Sequence, residues 1–332
     1  MQTTNRLLIS LALMLAASLS PATANAEKVD PTDLQALIGK GGYAFAHVRE
    51  NTPTEGIRRE VVSFSVDDLR QYALVLWPAG EPPGQGWPVV QFNHGYHPDP
   101  PRNGFNAQGV SDRPGDYYRE TVQALARAGY VTVVPDYRGH NISAGAAFTR
   151  RLLADMWYTR DAVACFLALP SLQNIDLGRA YMLGHSMGAG VTLRALLALG
   201  DRVRAGAVWS TTAGGGLDYL MQMSLQASAG EDAGTRAKPA LDQLAAELEN
   251  IGNREVLRPI DGAGNLRVPL SIQHAAEDPT TPVAASLRLA AQLYLAGRDY
   301  QLMVYPGGDH LFTGEQFATA VARDLAWFER FR

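Results

Sequence analysis

The sequence predicts an α/β protein: a mostly parallel twisted sheet with helices on both faces, broken at one point by a small helical insertion. Three observations predict it. Short apolar runs rich in β-branched residues recur along the chain, as in Val131-Thr132-Val133-Val134. Between them, apolar residues return every three or four positions over longer stretches, as in 117–128 and 152–169, which is the period of a helix with one buried face. The two patterns alternate, and alternation implies βαβ units whose strands are covered on both faces.

Composition sets the outer bounds. The chain has 332 residues, 46% hydrophobic and 19% charged, with a net charge of -4. This is an ordinary globular balance and enough chain for a full-sized core. No basic stripe stands out, which argues against a nucleic-acid partner.

The elements follow in order. Arg6, the apolar run Leu7–Leu19 and the small residues of Ala24-Asn25-Ala26 have the layout of a signal peptide over 1–26. The expectation is an exported protein, periplasmic or extracellular, with its domain over 27–332. The run is too short to span a bilayer comfortably, so no stable membrane insertion is expected after cleavage. A turn-rich stretch with Gly39, Gly41 and Gly42 comes next. Glu60–Phe64 and Tyr72–Trp77 read as paired strands with no helix between them, an antiparallel edge. Val89–Phe92 is a short strand, 117–128 a helix stopped by Gly129, and Tyr130–Pro135 a strand. The helix over Leu152–Leu169 carries Cys165, the one cysteine, which reads as a buried inert thiol. Strands are expected at Arg179–Leu183, Val203–Ser210, Val268–Gln273 and Tyr300–Tyr305. Helices are expected at Ser186–Leu199, Val283–Ala296 and Gln316–Phe331. The insertion falls at 214–262. It opens on Gly214-Gly215-Gly216 and looks helical over Leu217–Ala227 and Pro239–Leu248, which suggests a cap or lid; an ordinary crossover with one extra helix is the alternative.

Gly184-His185-Ser186-Met187-Gly188 matches G-x-S-x-G between an expected strand and an expected helix. That context lifts a common pattern to a candidate nucleophile, because a sharp strand-to-helix turn pushes the serine hydroxyl out above a sheet. A serine hydroxyl is a weak nucleophile until a base takes its proton, and the base needs a group to orient it. Where the motif serves catalysis, the acid follows a later strand and the histidine comes last. His310 follows the strand ending at Tyr305. His274 precedes the acid and reads as a strand-end residue near the site. Asp278 is the candidate acid, set in a turn by Pro279-Thr280-Thr281-Pro282, with Glu277 and Asp309 as alternatives. The two donors of an oxyanion hole are expected at the backbone N–H of Met187 and of Tyr96, the latter in the loop Asn93-His94-Gly95-Tyr96-His97. His94 and His97 have no third ligand at sensible spacing, and the chemistry calls for no metal or cofactor. Trp209, at the C-terminal end of its strand, is a candidate for lining a substrate pocket. Asp136 and Arg138 are expected to brace the loop after their strand.

With these residues in place the chain resembles the α/β-hydrolase superfamily, and within it the dienelactone hydrolase and prolyl-oligopeptidase catalytic-domain branch. The resemblance rests on Phe92-Asn93-His94-Gly95, Pro135-Asp136-Tyr137-Arg138-Gly139, the serine motif, Glu277-Asp278-Pro279-Thr280-Thr281-Pro282 and Gly308-Asp309-His310. The loop that reads His-Gly-Gly-Pro in many such peptidases is His94-Gly95-Tyr96-His97 here. An aromatic in that loop and a methionine after the serine also resemble bacterial polyester hydrolases. The resemblance implies a serine hydrolase acting on a small-molecule or polymer carboxylic ester through an acyl-enzyme. A prolyl-oligopeptidase-like peptidase or amidase is the near alternative. A non-catalytic binding protein on a hydrolase scaffold is the distant one.

Overall fold

The computed structural model describes residues 29–96, 118–212, 233–249 and 251–332. Among these residues nine strands form one sheet: β1 (Ala46–Thr54), β2 (Ile57–Val66), β3 (Leu69–Trp77), β4 (Trp87–Asn93), β5 (Val131–Asp136), β6 (Ile175–His185), β7 (Gly206–Trp209), β8 (Leu270–Ala275) and β9 (Tyr300–Tyr305). Their spatial order is β1-β2-β3-β5-β4-β6-β7-β8-β9. The pairs β1–β2, β2–β3 and β3–β5 are antiparallel. Every pair from β5–β4 to β8–β9 is parallel. The mostly parallel sheet expected from the sequence is therefore present, with an antiparallel edge of three strands.

The helices divide between the two faces. α1 (Leu34–Lys40), α3 (Ala154–Ala168), α4 (Met187–Leu199) and α6 (Ala284–Leu295) bury Leu34, Val163, Leu193, Leu196 and Leu289 on one face. α2 (Arg119–Arg127) and α7 (Gly314–Arg330) bury Val122, Leu125, Phe317 and Phe328 on the other. Strand alternation makes this work. In β6, Ala180 and Met182 face the first layer and Tyr181 and Leu183 the second, as the two-residue period of a strand requires.

The edge differs from the expectation. Residues 27–59, read as a turn-rich stretch, contain α1 and β1. β1 is a polar edge strand (Ala-His-Val-Arg-Glu-Asn-Thr-Pro-Thr), so no apolar period announces it. Its pairing with β2 shifts register between His47 and Arg49 and again between Asn51 and Thr54, irregularities that protect an edge from further pairing.

The fifth helix, α5 (Ala233–Glu249), comes from the insertion. It starts six residues before Pro239, where the sequence reading began it. The helix expected over Leu217–Ala227 and the leader at 1–26 lie outside the described residues. α5 docks by two means. Leu244 and Leu248 pack on Leu153, Met156 and Leu257. The Glu247 carboxylate accepts from the N–H groups of Leu152 and Leu153 at 3.0 and 2.9 Å, at the N-terminal end of α3. A helix N-terminus carries unpaired N–H groups and a positive dipole end, so a carboxylate is a fitting partner.

α3 is buried almost all round, including three of its charged residues. Each of these is paired: Asp161 with Arg138 at 2.7 Å, Asp155 with Arg194 at 2.9 Å, and Arg160 with Asp67. Arg138 thus braces the turn after β5, as the sequence suggested. Its guanidinium also lies over the rings of Phe148 and Trp157. Cys165 is fully buried in the same helix, and burial pushes its thiol well above the ordinary range.

Candidate active site

The parallel strands end in register, and that alignment builds the site. Asn93 of β4 lies beside Gly184 of β6, His185 beside Trp209 of β7, Trp209 beside Gln273 of β8, and Ala275 beside Tyr305 of β9. The loops leaving this row carry Gly95, Ser186, Ser210, Asp278 and His310. Residues 124 and 32 positions apart in sequence thereby meet.

Ser186 stands on a strained elbow. Its φ and ψ are 57° and -123°, a region costing roughly 1–3 kcal/mol for a residue with a Cβ. Two glycines permit the turn. A Cβ at Gly184 would strike the Gly188 carbonyl and the Thr192 hydroxyl, and one at Gly188 would strike the carbonyls of Asn93 and His94. α4 therefore begins hard against the loop after β4.

The hydroxyl of Ser186 lies 3.0 Å from His310 Nε2, and His310 Nδ1 lies 2.7 Å from Asp278 Oδ2. Ser186 and His310 are partly accessible, whereas the Asp278 side chain is fully buried. The structure thus brings together the three residues singled out by chain order. Glu277 is exposed, and the Asp309 carboxylate accepts from Thr313, so neither takes the acid's place.

Asp278 is densely held. It accepts from the N–H groups of Thr280 and Thr281 at 2.7 and 2.9 Å, and the Thr281 hydroxyl lies 2.9 Å away. His274 stands on its far side, Nε2 3.4 Å from Oδ2, with Nδ1 2.7 Å from the Ser286 hydroxyl. Burial pushes the carboxyl up, but the hydrogen bonds from His274, His310 and Thr281 outweigh it and hold the group well below the usual carboxylate range. These contacts favour the carboxylate form of Asp278. His274, read as a strand-end residue, is a second imidazole on that anion.

The loop after β4 closes the opposite side. A Cβ on Gly95 would sit 3.2 Å from Ser186 Cβ, so this loop lies against the nucleophile. The Tyr137 hydroxyl donates to the His94 carbonyl at 3.2 Å, and the His94 and Tyr137 rings stack at 4.2 Å. Tyr96 follows, half exposed. Met187 opens α4, where the first four N–H groups have no intrahelical acceptor. The head of α4 therefore offers unpaired N–H groups and the positive end of its dipole beside Ser186.

Three polar residues beside the triad were not singled out by the sequence reading. His185 is buried, with Nδ1 2.8 Å from the Tyr118 hydroxyl and Nε2 2.8 Å from the His310 carbonyl oxygen. Burial, and next the charge at His310, push its imidazole down to about 3. The Ser210 hydroxyl donates to the same carbonyl at 2.8 Å. His185 was visible only as an unspecified x within the serine motif, and Tyr118 only as the start of a helix.

One expectation is corrected. Trp209 does not line a pocket. Strand alternation points its ring into the layer beneath the sheet, where it is fully buried against Phe312 and Phe317. Its indole N–H donates to Asp324 Oδ2 at 2.6 Å. Position at a strand end favours the site, but the two-residue period decides which face a side chain takes.

A family model described as the prolyl oligopeptidase family matches residues 116–331. Among solved structures, the chain is similar to the Pyrococcus horikoshii acylaminoacyl peptidase (TM-score 0.60, 21% identity, 90% of this chain and 43% of that one). It is also similar to the Porphyromonas gingivalis dipeptidyl peptidase 4 (TM-score 0.57, 16% identity, 87% and 35%). The chain therefore spans less than half the length of these peptidases. The acetyl xylan esterase from Paenibacillus sp. R4 is similar at a TM-score of 0.64 and 16% identity, over 97% of this chain and 99% of that one.

Proposed function

The chain belongs to the prolyl oligopeptidase family of serine hydrolases, and from that premise we propose that it cleaves carboxylic esters through a Ser186 acyl-enzyme. The observation that carries the reading is the unbroken chain Ser186–His310–Asp278, at 3.0 and 2.7 Å, on a strained elbow. His310 takes the hydroxyl proton as Ser186 attacks the carbonyl. The N–H groups of Met187 and Tyr96 receive the oxyanion of the tetrahedral intermediate. His310 then gives its proton to the leaving alcohol, freeing the acyl-enzyme. Water, deprotonated by the same imidazole, releases the acid. Asp278 holds Nδ1–H and steadies the imidazolium without itself taking the proton.

The similarity to an acetyl xylan esterase, nearly coextensive with this chain, supports an ester over an amide. The family match and the peptidase structures support the second reading, a peptidase or amidase. Export, through a leader over 1–26, is part of the same proposal.

The test compares p-nitrophenyl esters with aminoacyl-anilides, in wild type and Ser186→Ala. Ester turnover that exceeds anilide turnover and falls by about 10⁴-fold or more in Ser186→Ala is the expected result. Anilides turned over faster than esters would favour the peptidase reading. A Ser186→Ala variant as active as wild type would remove the nucleophile assignment altogether.

A further inference from the structure

The loops that carry the oxyanion donors, the nucleophile and the base meet at one buried hydrogen-bonded chain. Gly95 N–H donates to the Tyr118 hydroxyl at 2.9 Å. That hydroxyl lies 2.8 Å from His185 Nδ1, and His185 Nε2 lies 2.8 Å from the His310 carbonyl oxygen. Direction follows from chemistry. A carbonyl only accepts, so Nε2 carries the imidazole proton. Burial keeps the ring neutral, so Nδ1 accepts, and Tyr118 donates to it while accepting from Gly95. This proton arrangement satisfies every bond of the chain. The His185 ring sits 4.6 Å from the His310 ring, centroid to centroid.

We infer that Tyr118 and His185 are positioning residues that set the oxyanion loop and the His310 loop at a fixed offset from Ser186. The inference rests on the serine-hydrolase reading of the site. Neither side chain touches the reacting atoms. Tyr118 acts through Gly95, one residue before the Tyr96 donor. His185 acts through the main chain of His310, whose imidazole must reach Ser186 Oγ. His185 is also covalently joined to the nucleophile, so the chain ties three separately built loops to one ring. Oxyanion stabilisation depends on donors standing where charge develops, and misplacement by about 1 Å can cost about a hundredfold in rate. A chain of 2.8–2.9 Å bonds through buried groups holds positions on that scale. The simpler role, satisfying buried polar groups, predicts lost stability but unchanged catalysis by each folded molecule.

The experiment measures p-nitrophenyl acetate hydrolysis by wild type, Tyr118→Phe, His185→Phe and the double variant. Each preparation is titrated with a fluorophosphonate, so that kcat is expressed per reactive serine. Ser186→Ala serves as the reference for the reading itself. The expected result is a ten- to hundredfold fall in kcat per titrated site for each single variant, with KM within about twofold. The double variant should lose no more than the worse single one, because both act through one chain. Per-site kcat within twofold of wild type in Tyr118→Phe overturns the inference, even if its melting temperature falls. Should His185→Phe yield no titratable site, Tyr118→Phe decides alone, since it removes one oxygen and keeps the ring. Wild-type turnover that survives Ser186→Ala would instead sink the nucleophile reading and leave this chain of bonds without a catalytic role.

Discussion

Asp278 shows how a single residue can be both legible and surprising. Its place in the chain was readable, because the α/β-hydrolase resemblance implies an acid after a late strand and a histidine after the last one. Its surroundings were not. A second imidazole and two threonine N–H groups reach it through contacts that no linear spacing encodes. Those contacts make it an anion whose removal leaves His310 Nδ1 without its partner and free to take the wrong tautomer. Asp278→Asn is therefore expected to lower kcat for p-nitrophenyl acetate by about 10⁴-fold at pH 7. Turnover within tenfold of wild type would mean that another group orients the base. Trp209 gives the opposite lesson. Its address at a strand end was suggestive, but which face it took depended on register with β6 and β8. Its indole went to a buried carboxylate.

At the level of elements, the parallel strands and their helices were legible in place and type, with ends off by up to four residues, since burial on both faces leaves an apolar run that little else produces. α1 and β1 were not, because an edge strand with one solvated flank needs no such run. α5 sits between these cases. Its start was obscured by Pro239, which lacks an N–H and is better suited to a first turn than to an interior. Its docking depends on one side chain. Glu247 answers two N–H groups at the head of α3, and loss of a helix-capping group costs about 1 kcal/mol. Glu247→Ala is expected to loosen α5 more than the rest of the protein. Limited proteolysis should then cut within 233–249 several times faster, while thermal unfolding shifts by only a few degrees. Equal cleavage rates in the two proteins would show that Leu244 and Leu248 hold the helix unaided.

Across the molecule, among the described residues, Asp155, Arg160, Asp161, Arg138 and Arg194 are buried in ion pairs, whereas one buried carboxyl meets neutral partners. Asp324 of α7 lies beneath β7 and β8, where its two oxygens meet the Trp209 indole and the Ser271 hydroxyl at 2.6 Å each. Burial pushes its carboxyl up to about 6 from an ordinary 3.8. Ser271 can turn its hydroxyl from donor to acceptor, so the site suits the protonated acid. The contribution to folding is thus full below pH 4, where both states hold the proton, and is lost as pH rises through 6. That rise corresponds to about 3 kcal/mol. The stability of wild type relative to Asp324→Asn, from urea unfolding, should fall by about that amount between pH 4 and pH 7. A difference that stays constant with pH would show that the carboxyl ionises normally in the fold.

The placement of His310 on the loop after β9 also bears on when the proposed site is completed. Ser186 is synthesised well before His310, and 124 residues separate them. A nascent chain that has finished its serine elbow has no proton acceptor for it until β8 and β9 have been made and added to the sheet. Such long-range strand pairing is the slow part of folding. On the proposed serine-hydrolase reading, the growing chain therefore cannot use Ser186 as a nucleophile until the segment that carries His310 has been made.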